Sequence, residues 1–403
     1  MAEKQNIPEI RFEGFTDPWE QRKLGDVATI VGGGTPSTNN DAYWDGDIDW
    51  YSPAELGEQM YADRSVRRIT QAGYDSCSAT LLPAGKTILF TSRAGIGNAA
   101  ILRRSACTNQ GFQSLVVNDD TDVYFVYSMT DRIKKFAEQK ASGSTFLEIS
   151  GKGLAAGEFA FPSKGEQTAI GSMFKQLDHL ITLHQRKYDK LCTVKKSMLD
   201  KMFPKPGETE PEIRFEGFTD PWEQRKLGEL YSLVSEKNDL TFGRESIISV
   251  ANMYFNANVN VTDEQYLRTY NVMRLGDIAF EGHSNKEFSH GRFVENYIGD
   301  GIVSHIFTVL RPRVPFDVNY WRYAINNEKL MRLSLIRSTK ASTMMHDLVP
   351  SDFLREAIPT PTLAEQKEIG AFLVGLDHLI TLHQRKLELL RNIKKSLLDR
   401  MFV

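Results

Sequence analysis

The sequence predicts an α+β chain with an internal pseudo-two-fold repeat, in which two mixed α/β domains are separated by two long helices pairing as an antiparallel coiled coil. Three observations predict this architecture. One 18-residue segment occurs twice, letter for letter, at residues 8–25 and 211–228. A helix-like block that begins at Glu166 is repeated from Glu365. The stretches between these blocks share a strand-and-loop rhythm but few letters, so each half has the same start, a different middle and the same end.

Length and composition are those of an ordinary globular protein. The chain has 403 residues, a net charge of −3, 41% apolar residues and 25% charged residues, which is enough for two sizeable cores. Its three cysteines, Cys77, Cys107 and Cys192, are scattered. This pattern disfavours a disulfide framework or a cysteine zinc site and favours a reducing compartment. With no apolar leader and no 18-residue apolar run, we expect a cytoplasmic protein rather than a secreted or membrane-spanning one.

Each variable stretch contains a strand–loop–strand unit. In residues 26–165 the loop covers residues 91–98, and in residues 229–364 it covers residues 281–291. Loops on a rigid scaffold commonly carry binding specificity. The polar side chains in these loops suit base edges, because an arginine forks onto guanine and an amide pairs with adenine. The alternative interpretation is a solvated turn rich in Gly, Ser and Asn.

A second polar segment closes each variable stretch, at residues 140–145 and 338–343. Both combine lysine with hydroxyl side chains, which suits phosphate contacts. The loop at residues 32–38 and three arginines (Arg64, Arg67 and Arg68) are further phosphate candidates, although a charge cluster is more often a solvated face. The candidate DNA-binding residues are Thr35, Ser37, Ser92, Arg93, Asn98, Asn109, Gln110, Lys140, Ser144, Thr145, His283, Ser284, Asn285, Lys286, Lys340 and Ser342.

The repeated end blocks predict two long helices. They contain no proline and are rich in Leu, Lys, Gln and Met, and each could reach about 50 Å at 1.5 Å per residue. A heptad-like seam predicts that the helices pair with each other. Its members are Ile170, Leu177, His184 and Leu191 in the first helix, and Ile369, Leu376, His383 and Leu390 in the second. We interpret the two histidines as half-buried positions that set the register; a pH switch or a metal pair is the alternative.

These elements divide the chain into five segments. They are a first domain at residues 1–165, a first helix at 166–203, a linker rich in Pro and Gly at 204–210, a second domain at 211–364 and a second helix at 365–403. We call the duplicated segment and the helix block that each half shares the frame. Because the frame occurs twice, a partner that binds it is predicted to bind twice. The alternative is an incidental duplication with no dyad-related partner.

Motifs for catalysis are missing from the sequence. It has no GxxxxGK[ST], HExxH or GxSxG motif, and no Asn-Pro-Pro-aromatic tetrad. The eight histidines are dispersed, and no paired-carboxylate or Cys/His constellation stands out. We therefore predict no catalytic residue, no metal ligand and no cofactor in this chain.

With these features together, the chain resembles the specificity subunit of type I restriction-modification systems. The resemblance covers essentially the whole chain. It rests on the duplicated PEIRFEGFTDPWEQRKLG, on the paired EQxxIGxxFxxLDHLITLHQRK-like helices, and on ILFTSRAGIGNAAI, CTNQGFQSLVV and NVMRLGDIAFEGHSNKEF in the variable stretches. It implies two target recognition domains that each recognise one half of a bipartite, asymmetric site in double-stranded DNA, and helices that set the spacer.

The resemblance also implies partners. Two methyltransferase subunits would dock on the repeated helices and bind S-adenosylmethionine, and restriction translocase-nuclease subunits would use ATP and Mg. Two other functions stay open. One is a protein–protein adaptor with two variable binding modules and no DNA recognition; the other is a divergent nuclease or methyltransferase half. Salt dependence distinguishes DNA recognition from the adaptor, because DNA affinity falls steeply with salt whereas binding at an apolar peptide site does not.

Overall fold

The computed structural model describes residues 6–57, 59–143, 147–259, 263–341 and 345–403. The chain divides into two compact units. Unit 1 consists of Met1–Gln185 with Arg385–Val403, and unit 2 consists of Arg186–Gln384. Each unit therefore combines one variable stretch with the first part of one long helix and the last part of the other.

Unit 1 begins with the first copy of the duplicated segment and alternates short strands with short helices. Its elements are β1 (Glu20–Lys23), α1 (Leu24–Val27), β2 (Ala28–Gly32), β3 (Trp44–Tyr51), β4 (Tyr61–Ala62), β5 (Arg67–Ile69), α2 (Gln71–Asp75), β6 (Thr87–Phe90), β7 (Ala99–Leu102), β8 (Ala106–Thr108), β9 (Gln113–Val117), α3 (Val123–Ser128), α4 (Thr130–Lys140), α5 (Gly151–Ala155), β10 (Glu158–Phe161) and the start of α6 (Lys164–Lys201).

The main sheet of unit 1 has the strand order β2-β9-β6-β7-β4. Its central strand β6 is buried along its whole length. In antiparallel register, Ile88 of β6 lies opposite Ile101 on one side and Leu115 on the other. Branched apolar side chains of this kind pack well on a pleated surface, which is why this run forms a strand. A smaller sheet has the order β5-β3-β8, and β1 pairs with β10.

Unit 2 repeats this plan. Its elements are the end of α6, β11 (Glu223–Lys226), α7 (Leu227–Leu230), β12 (Tyr231–Leu233), β13 (Ile248–Ser249), β14 (Tyr254–Phe255), β15 (Asn271–Met273), β16 (Ile278–Glu281), β17 (Arg292–Glu295), β18 (Gly301–Val303), β19 (Val309–Pro312), α8 (Val318–Ala324), α9 (Glu328–Ser338), β20 (Thr339–Ala341), β21 (His346–Leu348), α10 (Pro350–Phe353), β22 (Ala357–Thr360) and the start of α11 (Leu363–Arg400). Short 3-10 helices occur at Asp41–Tyr43, Pro53–Glu55, Arg244–Ser246 and Glu264–Thr269.

The main sheet of unit 2 has the order β12-β19-β16-β17, which matches β2-β9-β6-β7 of unit 1 element for element. The pairing of β11 with β22 likewise matches that of β1 with β10. Both strand–loop–strand units expected from the sequence are present, as β6–β7 and β16–β17. The predicted α+β class and the internal repeat are confirmed.

The duplicated segment has a structural role in both units. Trp19 of the first copy is 3% exposed and lies in the core. The guanidinium of Arg11 makes a two-pronged ion pair with the buried Glu166 carboxylate at 2.7 and 2.9 Å. Arg214 and Glu365 repeat this pair, with both distances 2.8 Å. Each copy thus ties its domain to the start of a long helix in the same way.

The two long helices run antiparallel to each other within unit 1. The ring centroids of Phe174 and Phe402 are 5.9 Å apart, and Arg391 donates to Gln185 at 3.1 Å. The contact therefore moves toward the start of α11 as α6 advances. Along the predicted seam, Ile170, Ile369 and Leu376 are buried, whereas Leu177, His184, Leu191, His383 and Leu390 are half-buried.

Short Met-Phe segments follow both helices and are buried in the domain cores. Met202 and Phe203 lie in the core of unit 2, where the Phe203 ring packs against Trp222 and Tyr320. Met401 and Phe402 lie in the core of unit 1. Each long helix thus starts on one unit and ends in the core of the other.

Candidate nucleic-acid interface

The loop between β6 and β7 is held rigidly on the sheet of unit 1. The buried Thr91 hydroxyl donates to the Gly95 carbonyl at 2.6 Å and accepts from the Asn98 amide at 2.9 Å. Ile96 is 8% exposed and anchors the loop in the core. The side chain of Arg93 stays 42% exposed. Its guanidinium lies 3.8 Å from the half-exposed Glu148 carboxylate. The loop therefore presents a partly paired cation on an ordered backbone, which reduces the entropy lost on binding.

Ser92 requires a correction, because its side chain does not reach the surface. The residue is fully buried. Its amide donates to the Gly111 carbonyl at 2.8 Å, and its carbonyl accepts from the Ile149 amide at 3.1 Å. Its hydroxyl donates to Glu148 at 3.4 Å. Ser92 joins three chain segments from the inside, and a buried hydroxyl is not placed to contact DNA as we predicted.

The segments that meet around Ser92 carry other predicted DNA-binding residues. The Thr35 hydroxyl donates to Oε1 of the exposed Gln110 at 2.6 Å. Oδ1 of Asn109 accepts the Gly111 amide at 2.8 Å. The Asn109 amide is therefore oriented by its own loop, and the Gln110 amide by the neighbouring loop that carries Thr35. Each amide oxygen has a second lone pair, so the pairing with adenine that we predicted needs no rearrangement of these contacts.

The remaining predicted residues of unit 1 differ in their surroundings. Ser37 is exposed, and its carbonyl accepts from the indole of Trp44 at 3.1 Å. Asn98 is half-buried where β7 begins, and Lys140 is exposed at the end of α4. Arg64, Arg67 and Arg68 are all exposed, and the guanidinium of Arg67 stacks on the Trp44 ring at 3.5 Å. Ser144 and Thr145 lie outside the described residues.

In unit 2 the loop between β16 and β17 contains its own tight turn. Oδ1 of Asn285 accepts the amides of Glu287 and Phe288 at 2.8 and 2.9 Å. An Asn side chain that accepts nearby amides in this way stabilises a turn. His283, Ser284, Asn285 and Lys286 are all exposed. Four predicted residues thus share one pre-formed, solvent-facing loop.

A hairpin formed by β20 and β21 lies beside this loop. The His346 amide donates to the Gly282 carbonyl at 2.8 Å. Lys340 is exposed on β20, opposite Asp347. The arrangement matches unit 1, where the bridge between residues 142 and 148 lies beside the β6–β7 loop. Ser342 lies outside the described residues.

Two histidines approach each other where the loop meets the hairpin. The ring centroids of His290 and His346 are 5.3 Å apart, and Nδ1 of His290 is hydrogen-bonded to the Ser289 hydroxyl at 2.8 Å. Burial, and then the neighbouring His346 and Arg332, lowers the pKa of His290. In the described parts of the chain, no three or more His, Cys, Asp or Glu residues are grouped to hold a metal ion.

One segment next to this site was missed by the sequence analysis. Arg292 donates to Glu281 at 2.7 Å and to the carbonyl of Ala251 at 2.6 Å, which joins residues 251–255 to the base of the loop. Tyr254 and Phe255 are 47% and 42% exposed there. An aromatic pair among asparagines was the available signal, but only the Arg292 contact shows that the segment belongs beside the loop.

Two domains with one scaffold and unlike loop chemistry, each mounted on a pair of helix segments, define a two-module recognition protein. No helix in the described residues is both long and apolar enough to span a membrane. Residues 16–192 match the family model for the type I restriction modification DNA specificity domain. The chain is thus similar to the specificity subunits of type I restriction-modification systems, as the resemblance in its sequence indicated.

Known proteins resemble the chain along its length. It is 26% identical over 406 residues to the type I restriction enzyme MjaIX specificity subunit of Methanocaldococcus jannaschii, which covers 95% of this chain and 92% of that protein. The MjaVIII specificity subunit of the same organism is 22% identical over 98% of this chain and 95% of its own length. The crystal structure of the type I restriction-modification S subunit from M. genitalium has the same fold, with a TM-score of 0.62, 16% identity, and coverage of 98% of this chain and 99% of that one.

Proposed function

We propose that this specificity subunit recognises a bipartite, asymmetric site in double-stranded DNA, with one half-site for each unit. The observation that supports this most is the repeated placement of a strand–loop–strand tip beside a second polar segment. The scaffold is the same in both units, whereas the exposed side chains differ, with Arg93 and Gln110 in unit 1 and His283 and Lys286 in unit 2. Two domains with the same scaffold and different loop side chains recognise two different half-sites.

Base recognition and phosphate binding fall to different side chains. Arg93 has the guanidinium fork that suits guanine, and the oriented amides of Asn109 and Gln110 suit adenine. Lys140 and Lys340 stand on the adjoining segments, where a flexible ammonium group suits phosphate oxygens. Phosphate contacts fix the position of the protein on the duplex, and the rigid loops then bring the other side chains to the base edges.

The long helices act as the spacer and as the docking site for partners. Leu180 and Leu183 on α6 are 41% and 40% exposed, and their counterparts Leu379 and Leu382 on α11 are 42% and 39% exposed. The same apolar pair therefore occurs once on each helix, which suits one subunit type bound twice. Two methyltransferase subunits bind here with S-adenosylmethionine, and translocase-nuclease subunits join them with ATP and Mg in the cytoplasm. This chain contributes specificity and no catalysis or cofactor.

Methylome sequencing tests the function. A host carrying this chain with its neighbouring genes is compared with the same host lacking this chain alone. We expect a bipartite methyladenine motif that disappears on deletion. An unchanged methylome, with the partner subunits expressed and active, would contradict DNA recognition and favour the adaptor.

Single substitutions sharpen this test. Arg93→Ala should relax base preference at one position of one half-site, by roughly 1–3 kcal/mol. Lys340→Ala should weaken binding to all sequences alike and lower the salt slope by about 1. Arg103→Ala is the matched control, because Arg103 follows the other end of β7 and pairs with Asp63 at 3.3 Å. Affinities of the assembled complex are measured across a salt series, and a weak salt dependence of the wild type would favour the adaptor.

A further inference from the structure

One aspartate in each long helix joins three elements of the fold. Asp178 on α6 accepts the hydroxyl of Tyr124 from α3 at 2.8 Å and the ammonium of Lys394 from α11 at 2.6 Å. Asp377 on α11 accepts the hydroxyl of Tyr323 from α8 at 2.5 Å and the ammonium of Lys195 from α6 at 2.5 Å. We call these two triads the unit 1 junction and the unit 2 junction.

The aspartate and the lysine of the two junctions are equivalent positions of the repeated helices, whereas the tyrosines are not equivalent positions of the two domains. Asp178 and Lys195 each lie 199 residues before their counterparts Asp377 and Lys394, within the repeated helix blocks. The tyrosines come from the variable stretches and occupy different positions of their helices. Tyr124 is the second residue of α3, whereas Tyr323 is the sixth residue of α8. The two domains therefore supply a tyrosine hydroxyl to equivalent aspartates from different helix positions. This indicates that the hydroxyl is needed at the aspartate and is not merely a remnant of the duplication.

The environment of the Asp178 carboxylate makes its contacts directional, and Asp377 is half-buried, with its side chain 27% exposed. Asp178 is 7% exposed, so its oxygens depend on hydrogen-bond partners within the protein. Apolar packing is non-directional, whereas a hydrogen bond weakens steeply as its angle departs from linearity. The junction thus restrains the angle between the recognition domain and its helices in a way that the surrounding apolar core does not.

A second tether stands beside each junction. In unit 1, Arg132 of α4 donates to the carbonyls of Leu398 and Phe402 at 3.1 and 3.2 Å. In unit 2, Asn327 donates to the carbonyl of Leu199 at 3.2 Å. Leu199 lies 199 residues before Leu398, so this tether also repeats with the frame. Two separate attachment points on the helices define an orientation, which one point alone would not.

We propose that the Asp178–Tyr124–Lys394 and Asp377–Tyr323–Lys195 junctions are positioning devices that set which spacer length the subunit accepts between its two half-sites. This inference rests on the function proposed above. One base pair changes the separation of two half-sites by about 3.4 Å and their relative rotation by about 35°. A domain held at one angle on its helices meets its half-site at one spacer length, and a loosened domain also meets it at neighbouring lengths.

The test uses the complex assembled with its methyltransferase subunits. Duplexes carry the same two half-sites with the native spacer, one base pair fewer or one base pair more, and initial methylation rates are compared. Tyr124→Phe and Tyr323→Phe remove one hydroxyl each and keep the ring. Tyr231→Phe is the control, because the buried Tyr231 hydroxyl has no hydrogen-bond partner in the described residues.

We expect the preference for the native spacer to fall about tenfold in Tyr124→Phe and in Tyr323→Phe, since each loses a hydrogen bond to a charged group. The half-site sequences should stay the same, and Tyr231→Phe should keep the full preference. Asp178→Asn, which weakens both contacts of one junction, should relax the spacer further.

Each contrary result has a distinct meaning. An unchanged spacer preference in both tyrosine variants would overturn the positioning role. Equal loss of rate on all three spacers would also overturn it, because the junction would then only stabilise the fold. A wild-type complex that methylates no bipartite site would overturn the proposed function, and the inference with it.

Discussion

At the residue scale, two glutamates of unit 2 show how the local environment decides the effect of a charge. Glu295 on β17 is fully buried, and neither of its carboxylate oxygens has a hydrogen-bond partner in the described part of the chain. Burial raises the pKa of Glu295 well above its ordinary value, Asp317 acts in the same direction and Arg322 opposes them. Glu236 accepts from Arg311 at 2.8 Å and from Arg274 at 2.7 Å.

Hydrogen bonds from these two arginines lower the pKa of Glu236. Opposite pKa shifts give opposite dependences of stability on pH. Glu295 contributes stability below the unfolded-state pKa, and this contribution is lost as pH rises toward its raised folded-state pKa. Glu236 contributes stability above the unfolded-state pKa, and this contribution is lost as pH falls through its lowered folded-state pKa.

We therefore predict that Glu295→Gln raises the thermal midpoint at neutral pH, whereas Glu236→Gln lowers it. For Glu295→Gln the gain should be about 2–4 °C, the shift that roughly 1 kcal/mol produces in a unit of this size. The gain should shrink as pH falls below 5, and the loss in Glu236→Gln should fade in the same direction. Calorimetry between about pH 4 and 8 measures both. A lower midpoint for Glu295→Gln at neutral pH would show that this carboxylate is charged and partnered in solution.

At the element scale, the long helices are parts of both domain cores as well as spacers. The Phe402 ring packs against Trp19 and Phe125, with centroid separations of 5.9 and 5.2 Å. Phe203 makes the matching contacts in unit 2 with Trp222 and Tyr320. The stability of unit 1 therefore depends on residues from the far end of the chain, whereas unit 2 is a continuous stretch that includes Phe203.

Phe402→Ala should destabilise unit 1 by about 3–5 kcal/mol, the usual cost of removing a buried phenylalanine ring. Hydrogen exchange followed by peptide mass spectrometry should show faster exchange in β6, β7 and β9, with β16 and β19 unchanged. Phe203→Ala is the matched variant and should reverse the pattern. Equal loosening of both units by either substitution would contradict this division of the cores.

At the scale of the whole molecule, the two units share a frame that does not depend on what their loops recognise. The ion pairs Arg11–Glu166 and Arg214–Glu365 join the start of each domain to its helix in the same way. Recognition can therefore change without loss of the frame contacts.

If the proposed function holds, replacing residues 26–165 by the corresponding stretch of a type I specificity subunit should change one half of the DNA site and leave the other half intact. The methylation motif of the assembled complex measures this. The chimaera should keep the native spacer only if the incoming domain supplies a hydroxyl to Asp178. A change in both half-sites would refute the modular interpretation, and a chimaera replacing residues 229–364 provides the reciprocal control.

The sequence by itself determined the repeat, the two helices and the resemblance to type I specificity subunits, because these depend on identity and periodicity along the chain. It also indicated which loops carry polar side chains. The sequence did not show which loop residues are buried or which segments far apart in the chain lie next to each other. Ser92 has a loop-like sequence context but is buried among three segments. The Ala251–Phe255 segment adjoins the loop through Arg292, which lies 41 residues from Ala251.

Only the tertiary structure decided that Tyr124 and Tyr323 reach equivalent carboxylates from different positions of their helices. It also decided that Phe402 completes a core built mainly from the first half of the chain. The physical reason is the same in each case. Local patterns determine which elements form, whereas contacts between residues far apart in sequence depend on how sheets and helices pack, and packing fixes which polar groups are buried, paired or left at the surface.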